Sequence, residues 1–141
     1  MFELKFEDKV KVWKDLRDKL ESAPRPFDLL LKFINGLPRS SRKQNPWDPD
    51  SVAEPWHLIE NSSFTEYEIA QLCAYTLQLT DRFCGCEVEI HICKEVENDR
   101  YMYLVYLDKS TVLGYKNKAV KAVDLPKNII SHKIYALPPL H

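Results

Sequence analysis

Two apolar rhythms follow one another along this chain. Phe6, Val10, Trp13, Leu16 and Leu20 recur every three or four residues, with Lys, Asp and Glu between them. That is the spacing of one helix face, and it predicts a helix over 6–22 that Pro24 and Pro26 end. The stretch PFDLLLKFING follows. Pro26 suits a first helical turn and Gly36 a C-terminal cap. Its apolar residues, Phe27, Leu29, Leu30, Leu31, Phe33 and Ile34, run nearly all the way round. Such a helix needs cover on most sides, from its own chain or from a partner.

Residues 37–57 break the rhythm. Prolines and a run of Ser, Asn and Asp forbid a long element there. A connection of that length inside a compact domain is uncommon, and such connections often bind. SSFTEYEIAQLCAYTLQLTDRF then carries the clearest helical stripe, Ile69, Leu72, Cys73, Thr76 and Leu79. Ser63 with Glu66, or Thr65 with Glu68, has capping-box spacing. Beyond it the period drops to two. Strands are expected near 85–94, 100–107, 110–116, 118–124 and 131–137, joined by short polar links as in hairpins. YMYLVYL is apolar on both faces and reads as a central strand.

Helices first and strands afterwards give an α+β class. We expect N-terminal helices, then an antiparallel meander of four to five strands packed on a central helix. The 141 residues suit a single domain. Its parts are a helical part to about 36, a Pro/Trp-rich connection over 37–62, and a helix plus sheet over 63–141.

Charge changes the picture locally rather than globally. The formal net charge is −1, which steers the whole molecule toward neither nucleic acid nor acidic membranes. From Glu66 to Asp99, however, eight acidic residues face two basic ones, and from Arg100 onward seven basic residues face two acidic ones. Lys116, Lys118, Lys121 and Lys133 are therefore candidate phosphate contacts on a basic strand face. The N-terminal segment is charged throughout, and no apolar run approaches a membrane span. A cytoplasmic protein with reduced thiols is expected.

Candidate chemistry centres on RFCGCEVEIHICKE, which holds three of the four cysteines. Strand parity puts Cys84, Cys86, Val88, Ile90 and Ile92 on one face, expected to be the core. It puts Glu87, Glu89, His91 and Cys93 on the other, expected to be a wet polar stripe. Ligands sent to opposite faces do not converge on one metal, so no metal site and no cofactor are expected. A metal-dependent phosphoryl-transfer enzyme using Glu87, Glu89 and His91 stands as an alternative. Glycine-rich phosphate loops, a nucleophile elbow and a His-Glu-x-x-His motif are missing from the sequence.

The leading expectation is a small domain that binds a protein partner without catalysis of its own: an inhibitor, adaptor or regulatory subunit. Its anchors are expected in the Pro/Trp-rich connection. Trp47 is held in NPWDP and rimmed by Arg39, Arg42 and Lys43 before it and Asp48 and Asp50 after it, while Trp56 is expected in the core. The apolar excess of the 27–34 helix adds the expectation of a homodimer.

Overall fold

The computed structural model describes residues 5–42, 45–48 and 53–137. Four helices come first: α1 (Phe6–Leu20), α2 (Pro26–Asn35), α3 (Pro55–Glu60) and α4 (Glu66–Gln78). Five strands follow: β1 (Val88–Glu95), β2 (Arg100–Leu107), β3 (Thr111–Tyr115), β4 (Lys118–Lys121) and β5 (Ile129–Leu137).

Helix α4 is the centre of the fold. Thr65 accepts from the Glu68 amide while the Glu68 carboxylate accepts from the Thr65 amide, a closed capping box. Eleven of its thirteen residues are buried, because it is covered from two sides. Its inner side lies on β1 and β2, and its outer side meets α3. The indole Nε1 of Trp13, from α1, donates to Thr76 Oγ1 at 2.9 Å. The expected central helix is therefore present. Helix α2 touches α1, α4, β3 and β4. Leu30, Leu31 and Ile34 are buried, Phe27, Leu29 and Phe33 pack half-buried against the core, and Phe27 meets Phe83 at 5.5 Å. The apolar excess of α2 is thus taken up largely within the chain, which removes the reason for expecting a dimer through it.

The sheet is antiparallel with order β4-β3-β2-β1-β5. The meander runs through four strands, and β5 crosses back to pair with β1. β2 is the middle strand, as its two apolar faces require. Val105 joins the core under the helices, while Leu104 joins a second cluster on the far face with Cys93 and Val112. Because β4 and β5 are opposite edges, the link between them must cross the sheet. Ala122, Leu125 and Ile129 pack on that second cluster.

This crossing corrects the expectation of a wet far face. Cys93 is wholly buried and His91 is 6 % exposed; period-two reasoning could not see that a later segment would lie over them. Cys84 and Cys86 differ as well. They sit in the turn before β1, half-buried rather than in the core. Cys73 does sit in the core, and burial pushes its thiol up to about 12.

Candidate functional site

The three described candidates of the Pro/Trp-rich segment separate into two places. Arg39 donates to the carbonyls of Ile34 and Leu37 and pairs with Glu66 at 3.0 Å. Arg42 donates to the Ser63 carbonyl and to the buried Glu68 carboxylate. Ser40 and Phe64 extend the same attachment through backbone bonds. Both arginines therefore fasten the chain after α2 to the start of α4. They are structural clamps with their guanidinium groups engaged, not the free charged rim expected around Trp47. Lys43 and Asp50 lie outside the described residues.

Trp47 stands elsewhere, on the helix-side face of the sheet. Asn45 shapes its turn: the side chain accepts from the Trp47 amide and the carbonyl from the Asp48 amide. Tyr135 Oη donates to the Pro46 carbonyl at 2.6 Å and ties that turn to β5. The Trp47 ring then meets Tyr101 of β2 edge-on at 5.8 Å and His132 of β5 at 6.5 Å. Strand register extends this group. Lys94 pairs with Tyr101 on one side and with Ile130 on the other, so the three share one row and one face. The Lys94 ammonium lies 5.6 Å from the Tyr101 ring centre and binds Asp99. Trp47 is 42 % exposed, and Tyr101 and Ile130 are each 47 % exposed. Three exposed apolar side chains from a turn and two strands thus form one surface, with His132 and Lys94 inside it.

The surface continues into an open groove beside the β3–β4 hairpin, lined by Tyr101, Tyr103, Tyr115, Arg100, Lys116 and Glu66. The hairpin turns at Lys116 and Asn117, just after a bulge formed by Gly114. Its φ of +107 belongs to glycine, and it marks the point where the β3–β4 register slips.

Trp56, expected in the core, is 44 % exposed. It opens the short helix α3, where it packs edge-on at 5.7 Å on the buried Trp13. It is a cover over α1 with one side in solvent.

The four candidate lysines do not form one face. Lys116 and Lys118 flank the β3–β4 turn and Lys121 ends β4, whereas Lys133 lies on β5 at the other edge. Four strand spacings separate those edges, roughly 19 Å at about 4.8 Å each. Lys118 shares parity with Val120, on the far side, while Lys121 shares parity with Ala119, which packs toward the helices.

No protein-family model, curated protein or solved structure matches this chain.

The third candidate group lies under the crossing segment on the far face. His91 stacks on Tyr106 with centroids 3.6 Å apart. Its Nδ1 lies 2.8 Å from Ser131 Oγ and its Nε2 3.2 Å from Glu89 Oε1, and Cys93 Sγ lies 3.5 Å from the same Ser131 oxygen. Glu87 is exposed at the strand entrance, pairing with Lys109 at 4.0 Å. Among the described residues, no group of three or more His, Cys, Asp and Glu side chains is arranged to hold a metal. The ring is fully hydrogen-bonded where it sits, so this network fastens β5 to β1.

The network has a pH signature. Burial holds His91 below its ordinary value of 6.5, with Glu89 pulling the other way. The folded protein resists a proton that the unfolded chain accepts below about 6.5, so this contribution to stability is present above that pH and is lost as pH falls. Thermal unfolding of the wild type between pH 7.5 and pH 5 should therefore show a larger fall in Tm than that of His91→Gln. Parallel pH dependences would contradict this.

Sequence reasoning singled out Trp47 but not Tyr101, Ile130 or His132. Tyr101 looked like an ordinary strand residue, Ile130 lay just before the strand expected at 131–137, and His132 lay within it. Only the pairing of β5 with β1 brings them to Trp47.

Proposed function

We propose that this chain is a protein-binding domain, acting as an inhibitor, adaptor or regulatory subunit, that docks its partner on the surface of Trp47, Tyr101 and Ile130. One observation carries the reading. A tryptophan on a turn anchored by Tyr135 is exposed beside a tyrosine and an isoleucine from two different strands. Aromatic anchors on a rigid base are the usual centres of interfaces, and the anchored turn limits the ordering cost of binding. His132 and Lys94 supply polar contacts within it. Four free cysteines suit a reducing compartment such as the cytoplasm.

Affinity capture with matched baits tests this. Wild type and Trp47→Ala are immobilised at equal folded concentration and incubated with a lysate of the native host. A protein retained by the wild type should be lost with Trp47→Ala and kept with Arg42→Gln, because Arg42 is occupied on α4. Identical retention by all three baits overturns the reading. Retention that instead falls steeply with salt and follows the lysines of the β3–β4 hairpin would point to nucleic acid.

A further inference from the structure

We propose that the partner contributes an acidic, extended segment that adds to β5 as a sixth strand of the sheet; this deepens the docking reading above and rests on it. The two sheet edges are unlike. β4 has four residues, begins and ends in lysine, and lies against α2. It is short, charged and covered, the usual protection of an edge. β5 has nine residues and, among the described residues, pairs with β1 alone. Its outward backbone donors and acceptors form a ladder that an extended chain can complete. The edge also carries exposed apolar side chains on both faces, Ile130 on the helix side at 47 % and Ile134 on the far side at 49 %.

The edge and the aromatic surface are continuous. Ile130 and His132 belong to both. An added strand lies about 4.8 Å beyond β5 and sends alternate side chains to the helix side, beside Ile130 and within reach of Trp47. The β1–β5 register slips after Ile92, which leaves His132 as an extra residue in β5. His132 faces the Trp47 ring, and the next residue, Lys133, lies with its ammonium 5.5 Å from the centre of the Tyr135 ring. On the side where Trp47 stands, β5 thus presents the Lys133 ammonium, with the Asp48 carboxylate near the Tyr135 ring.

Charge selects the occupant. From Leu125 to Leu137 the chain holds Lys127, His132 and Lys133 and no carboxylate. A second copy paired through β5 would bring two such segments together, with like charges facing across the seam. A segment carrying Asp or Glu between its apolar residues meets the same edge with opposite charge.

The test is selection of a random twelve-residue peptide library, displayed on phage, against the full chain, followed by amide hydrogen exchange with the enriched peptides. Enriched peptides should alternate apolar with acidic residues. They should slow exchange across 129–137 by tenfold or more. Lys133→Glu should weaken them about tenfold, whereas Lys118→Glu, on the opposite edge, should leave them unchanged. Absence of enrichment, peptides without an acidic excess, or equal binding to Lys133→Glu would overturn the proposal. So would a dimer in sedimentation with β5 protected without peptide. Peptides that depend on Trp47 but leave the β5 amides unprotected would remove strand addition while leaving Trp47 as an anchor. Peptides that protect β5 in Trp47→Ala as strongly as in the wild type would remove the shared site.

Discussion

Trp13→Ala should destabilise the protein by about 3–5 kcal/mol, the range for loss of a large buried aromatic. Trp13 has no solvent exposure and sits between two helical layers. Its ring meets Trp56 edge-on and carries the Arg17 guanidinium at 4.7 Å. Its Nε1 donates to Thr76 Oγ1, which in turn donates to the Leu72 carbonyl at 2.6 Å. Truncation therefore removes core volume, uncovers Trp56 and cuts the side-chain bond between α1 and α4. Thr76→Val separates these effects. It keeps the volume and strands the indole N–H, which costs about 1–3 kcal/mol. Urea unfolding of both variants measures the difference. A loss under about 1 kcal/mol for Trp13→Ala would mean that α1 is not docked as described.

Glu68→Ala should cost about 2–4 kcal/mol. The carboxylate is 6 % exposed and receives three donors: the Thr65 amide at 3.0 Å, Asn61 Nδ2 at 3.1 Å and the Arg42 guanidinium. Removing it opens the capping box, worth about 1 kcal/mol, and leaves a buried amide and an arginine without their acceptor. Arg42→Ala should cost less, because Arg42 is half-exposed and water can take its place. A double-mutant cycle on chemical unfolding should show coupling of about 1 kcal/mol or more between the two positions. Additive losses would mean that the pair does not hold the 37–42 segment to α4.

How legible these features were depended on how local their cause was. The helical stripes of α1 and α4 and the central position of β2 follow from spacing within a few residues, and they were readable; spacing left two capping boxes open, of which Thr65–Glu68 is the one formed. Helix α3 was hidden among prolines, since it is only six residues long, Pro55–Glu60. The wet face assigned to His91 and Cys93 failed for a non-local reason. Strand parity says which residues share a face, but not that the Ala122–Asn128 link will cross it. Arg39 and Arg42 looked like a rim because they precede Trp47 in sequence. In space the chain turns them onto α4, and the neighbours of Trp47 come from residues more than fifty positions later. Composition and proline placement singled out Trp47, whereas its neighbours Tyr101 and His132 required the sheet order.

Trp47 is either a binding anchor or a lid, and the two roles differ in what its removal costs. The most direct measurement is the Kd of the captured partner for Trp47→Ala relative to wild type. We predict a loss of about 2 kcal/mol or more, roughly thirtyfold, in a variant whose unfolding curve stays close to that of the wild type. An unchanged Kd, or a variant destabilised by about 3–5 kcal/mol as when a buried tryptophan is lost, would contradict it.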